Sequence, residues 1–203
     1  MAKLNITWNK FTVHKKHDID RDAPYLWVFG IIVDANTLAS RNFVVRRPSG
    51  VGNLGQKKFQ KGESVSVSST LDIVKDVTPV LGFLVGGVVV VAWENAMTTD
   101  RVIADAYDAA AADINKFINA RIDAGNLETP SAGDLAELRT QISEDVRDTI
   151  REGWTVFQLL PDHEIGEANT VLSFDGAKTQ PLNFRFTKRS TDYQLEGEMK
   201  FLP

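Results

Sequence analysis

Residues 80 to 93 read VLGFLVGGVVVVAW, the longest apolar run in the chain, and the reading of this run decides the fold. A helix that crosses a bilayer needs about 20 consecutive apolar residues. This run stops short of that and is broken by Gly82, Gly86 and Gly87, so it reads as buried in protein, with no transmembrane segment. Val88 to Val91 lack the polar alternation of a half-buried strand, and their β-branched side chains are stiff. They read as a strand buried on both faces. The N-terminal MAKLNITW has no apolar core of the kind a secretory signal requires. The expectation is a soluble chain with no signal peptide, its compartment left open.

Outward from this run the apolar period is two. Leu4, Ile6 and Trp8 alternate with polar residues and are followed by Phe11 and Val13; Leu26 to Val33 is β-prone throughout. Val65 and Val67 alternate with serines. Near the C-terminus Leu182, Phe184 and Phe186 form one alternating set, and Tyr193, Leu195, Gly197, Met199 and Phe201 form another. The polar stretch from Lys188 to Asp192 between them predicts a hairpin. The pattern predicts a mainly β fold, an antiparallel β-sandwich of about eight or nine strands.

Between Thr98 and Asp123 the period changes to that of a helix, with Ile103, Tyr107, Ala110, Ile114 and Phe117 on one stripe. Leu135, Leu138, Ile142, Val146 and Ile150 make a second stripe, entered through Pro130 and a capping box of Ser131 with Asp134. The short DAGNLETPS connection predicts two antiparallel helices, and Gly153 ends the second before WTVFQLL returns to strand chemistry. Residues 98 to 152 hold 6 Lys/Arg and 12 Asp/Glu, whereas the remainder holds 17 and 15. The domain reading is therefore one β-sandwich from residues 1–97 and 153–203, interrupted at 98–152 by an inserted acidic helical hairpin.

Composition removes several function classes. The net charge of −4 argues against nucleic-acid binding, which usually needs a strongly basic surface. There is no cysteine, hence no disulfide, thiolate metal site or cysteine nucleophile. GVGNLG, residues 50 to 55, matches the glycine spacing of a dinucleotide loop, but QKKFQKGESVSVS follows it instead of an apolar helical stripe. It reads as a flexible hairpin tip, and no organic cofactor is expected.

The chemistry concentrates in HKKHDIDRD, residues 14 to 22. Asp18, Asp20 and Asp22 repeat the alternate spacing that opens an EF-hand, where a tight loop gathers oxygens round one hard cation. Ala23 and Phe29 stand where that motif needs glycine and glutamate, so the segment is not an EF-hand. Running on into Ala-Pro-Tyr-Leu-Trp-Val, residues 23 to 28, it resembles the first calcium loop of C2 domains, where an acidic loop leads into Asp-Pro-Tyr and a sandwich strand. Ala23 replaces that aspartate, and no later paired aspartates supply the family's opposite loop. The resemblance implies a sandwich edge that takes calcium, Ca2+, through loop carboxylates. Asp34, Asp162 and Glu164 are the candidates for further oxygens. His14, His17 and His163 offer a rival three-nitrogen site with an open position, as in zinc hydrolases.

Arg41, Arg46, Arg47, Lys57, Lys58 and Lys61 form a basic stretch with no acid before Glu63. Arg46, Arg47, Lys57, Lys58 and Lys61 are the expected contacts to an anionic surface or to the acidic hairpin of a neighbouring copy. Three functional readings follow. The first is a non-enzymatic, calcium-dependent binding module for an anionic surface or protein partner. The second is a structural or toxin-like assembly protein, of bacterial type, that uses the hairpin as its arm and forms a homo-oligomer. The third is a metal-dependent hydrolase built on the histidines.

Overall fold

The structure is a computed structural model that describes residues 2–16, 23–56, 58–80, 84–94, 99–125, 133, 163–174, 177–188 and 190–203. The elements are β1 (Ala2–Lys15), β2 (Pro24–Val33), α1 (Ala35–Ser40), β3 (Val44–Arg46), β4 (Ser64–Ser66), β5 (Ile73–Val77), β6 (Leu84–Glu94), α2 (Asp100–Asp123), β7 (His163–Phe174), β8 (Lys178–Lys188) and β9 (Thr191–Leu202). The chain is mainly β, in two antiparallel sheets. One sheet has the order β4-β1-β9-β8, with β5 also pairing β1, and the other has the order β3-β2-β6-β7.

Alternation places the core. Leu4, Ile6, Trp8, Phe11 and Val13 of β1 join Phe184, Leu195 and Phe201 from the first sheet and Leu26, Val28, Val88 and Val90 from the second in one apolar cluster. Trp8 and Phe11 are three apart and cannot share a face on a regular strand. The register against β9 steps from Trp8–Gly197 to Lys10–Glu196, leaving Asn9 as an extra residue that restores the phase. This bulge lies where the outer partner of β1 changes from β5 to β4. The freed groups are satisfied there: Trp8 N–H donates to Asp72 Oδ1 at 3.0 Å, and Asn9 C=O accepts from Val67 N–H at 3.3 Å. Gly197 is dictated by the same spot, since a Cβ there would lie 2.3 Å from Thr7 O and 2.8 Å from the Trp8 ring.

The strand expected to be buried on both faces is so. Val88, Val90 and Ala92 of β6 face the cluster between the sheets. Val89, Val91 and Trp93 face a second cluster with Tyr25, Trp27 and Phe29 of β2, and α2 covers it with Ile103, Tyr107, Ala110 and Ile114. Ile118 completes the buried stripe of α2, and Phe117 is only partly buried. The predicted β8–β9 hairpin is present, closed by Lys188 opposite Thr191. The expected second helix over residues 131–150 and the strand at WTVFQLL lie outside the described residues, apart from helical Gly133. Among the described residues no helix is long and apolar enough to cross a membrane.

Candidate functional site

Strand register fixes which loops share an end of this body. Val13 pairs Tyr193, which pairs Phe186 in the first sheet. Leu26 pairs Ala92, which pairs Gly166 in the second. The two rows meet where a Cβ on Gly166 would lie 3.5 Å from Phe186 Cα, so the six residues mark one level of the body. Beyond that level lie His14 and Lys15 of β1, Pro24 and Tyr25 of β2, and Trp93 and Glu94 of β6. His163 and Glu164 of β7, Lys188 of β8 and Asp192 of β9 lie there too. The turn holding Lys61 and Gly62 is fastened to the same end, with Gly62 N–H donating to Val13 O at 2.7 Å and Val13 N–H to Glu63 O at 2.9 Å. β1 and β2, the strands that flank the aspartate segment, thus belong to different sheets, and both of the strand ends that flank it lie at this end.

The sequence-predicted residues divide accordingly. His17, Asp18, Asp20, Asp22, Lys57 and Asp162 lie outside the described residues. Glu164 is opposite Trp93 by backbone register, and His163 is opposite Glu94, which is also opposite Pro24. Glu94 is 4% exposed, a buried acid at this end of the core. Among the described residues no three His, Asp or Glu side chains converge to hold a metal.

Asp34, one of the expected metal ligands, serves as the N-cap of α1. It sits at the far end of β2, eight residues beyond Leu26, which at ~3.3 Å per residue is roughly 25 Å away. Both its oxygens are occupied: Oδ1 accepts from Thr37 N–H at 2.9 Å and Oδ2 from Thr78 N–H at 2.8 Å. Thr37 Oγ1 accepts from Asp34 N–H at 2.8 Å, completing a capping box that starts α1. His14 stands on the exposed face of the first sheet, its Nε2 sharing a hydrogen bond with Gln194 Oε1 at 2.7 Å. Asp192, across β9, is held by Arg185 through bonds of 2.8 and 2.6 Å. Those hydrogen bonds hold the Asp192 carboxyl below its ordinary range.

The basic stretch meets the acidic helix of its own chain. Arg46 NH1 lies 2.5 Å from Asp108 Oδ1, and Arg41 pairs with Asp123, both acids being on α2. Arg47 Nε donates to Thr70 O at 2.9 Å. Lys58 and Lys61 are exposed. Arg41 and Arg46 therefore belong to the seam with α2, the Arg47 side chain reaches Thr70 instead, and these lysines face solvent.

Two side chains whose role as edge partners periodicity does not mark finish that seam. Beyond β3 the outer edge of β2 has no partner strand among the described residues, and single side chains take its place. Tyr107 OH donates to Val28 O at 2.8 Å and accepts from Arg47 N–H at 2.7 Å. Burial pushes its pKa up to about 12. Asn53 Oδ1 accepts from Leu26 N–H at 3.2 Å, and its Nδ2 donates to Leu26 O at 2.6 Å. The glycine spacing around Asn53 now has a reason: Gly52 and Gly55 have φ of 92° and 96°, conformations that favour glycine. The loop is an anchored plug rather than a flexible tip, because Leu54 beside Asn53 is fully buried.

Comparison of the chain with protein-family models, with curated proteins and with solved structures finds no match.

Proposed function

We propose that the chain is a non-enzymatic binding module, a β-sandwich whose acidic loop takes Ca2+ and whose neighbouring lysines meet an anionic partner. The supporting observation is the strand register. It gathers the termini that flank residues 17–22, the buried Glu94, the start of β7 and the Lys61 turn at one end. The ligand set is Asp18, Asp20 and Asp22, with Asp162 or Glu164 from the chain entering β7. Hard oxygen ligands from two sheets suit a six- to eight-coordinate cation. Lys58 and Lys61 carry the anionic contact. A second helix over residues 131–150 runs beside α2 and completes the helical hairpin.

Thermal melting with and without Ca2+ tests the reading. A ligand bound only by the folded state at about 100 times its Kd adds about 2.7 kcal/mol of stability. The parent chain gains stability in Ca2+, and the triple substitution Asp18→Asn, Asp20→Asn, Asp22→Asn abolishes the gain. Equal melts for the parent chain with Ca2+ and with chelator refute the metal.

A further inference from the structure

Among the described residues β5 is an outer edge of the first sheet. It pairs with β1 alone, and no backbone hydrogen bond among the described residues reaches its other side. Ile73, Lys75 and Val77 stand opposite Ile6, Leu4 and Ala2, so all three occupy the row that faces the core. Ile73 is fully buried and Val77 is 3% exposed, yet Lys75 is exposed. On the outer face Val74 is 59% exposed, and Asp76 lies 3.9 Å from Lys3 of β1. A lysine in the core-facing row of an edge strand obstructs any strand laid beside it, which would have to bury the ammonium.

We propose that β5 is a latent self-association edge of this chain, closed against a second copy by Lys75 and Asp76. Strand register decides this. Two copies of β5 related by a two-fold axis pair antiparallel, and directly opposite residues point to the same face. Both apolar rows stay on one side of the joined sheet only if the axis passes through a residue. An axis at Lys75 sets Lys75 against its own copy. An axis at Asp76 does the same to Asp76, and an axis at Val74 sets Asp72 against Asp76 twice. Axes further out slide the strands off one another. Every usable register therefore opposes like charges, which destabilises the pair.

The test is analytical ultracentrifugation over a concentration series. Lys75→Val places a β-branched residue on an exposed edge strand, where the fold accommodates it. It makes the inner row of the register centred on position 75 apolar, and the variant is expected at twice the mass of the parent chain. Lys75→Glu keeps like charges opposed in its own homotypic pair and gains no mass alone. Mixed with the parent chain it sets glutamate against lysine, and the mixture is expected to be heavier than either component, the excess vanishing in high salt. Lys75→Val at the parent mass throughout overturns the proposal, and so does a mixture no heavier than its components.

Discussion

Tyr107→Phe isolates the contact that seats α2 on the second sheet. The ring remains, stacked on Phe29 at 4.5 Å and edge-on to Trp27 at 5.7 Å, so packing is conserved. What disappears is the hydroxyl that serves Val28 O and Arg47 N–H. Leaving a buried backbone group without a partner costs about 1–3 kcal/mol, and Arg47 at the rim recovers water, so a loss of about 2 kcal/mol is expected. For a chain of this size that lowers Tm by roughly 4–8 °C. Urea unfolding should give a lower midpoint at unchanged slope. Tyr107→Leu, which also removes the ring, should lose about 4 kcal/mol. pH gives an independent readout. The folded phenol titrates at about 12 rather than 10, so its stabilisation is complete below 10 and lost as pH rises toward 12. The Phe variant lacks that alkaline loss. A Phe variant within about 0.5 kcal/mol of the parent, with the same alkaline limb, would refute the keystone role of the hydroxyl.

Three further outcomes follow from the same geometry. Gly197→Ala drives a methyl into Thr7 O and the Trp8 ring, and a loss of about 3 kcal/mol or more is expected by chemical denaturation, overpacking with backbone being poorly relieved. Asp34→Ala strips the cap from α1 and the partner from Thr78 N–H; a loss of about 2 kcal/mol is expected, with no change in metal affinity measured by calorimetry. Because Arg185 depresses the Asp192 pKa, that pair's stabilisation is present above the ordinary carboxylate range and lost as pH falls through the folded value. Asp192→Asn should therefore flatten the acid limb of a stability–pH profile and leave the alkaline limb alone.

Much of this fold was legible because periodicity is a local property. The valine run, the β8–β9 hairpin and α2 each declare themselves within one window of sequence. The β1 bulge leaves a trace in the three-residue step from Trp8 to Phe11, which the alternation alone does not read as a bulge. Asn53 and Tyr107 were not legible as edge partners, because a side chain that replaces a strand carries no period and its target is remote in sequence. Asp34 did carry a signal. Thr37 three residues later forms a capping pattern, which the view of Asp34 as a spare carboxylate at a strand end passed over. The candidate site was legible only as a local cluster of carboxylates. Which strand ends stand beside it depends on register across two sheets, and register is fixed by pairings between residues as distant as Val13 and Tyr193.

The most direct measurement is a Ca2+ titration followed by amide NMR shifts of the full chain. Binding at the proposed end should move the amides of His14 to Lys16, Tyr25, Leu26, Trp93 and Glu94 in one saturable transition, while Asp34 and Thr78 at the far end stay fixed. Spectra that superimpose from chelator to millimolar Ca2+, or shifts centred on Asp34, would contradict the account.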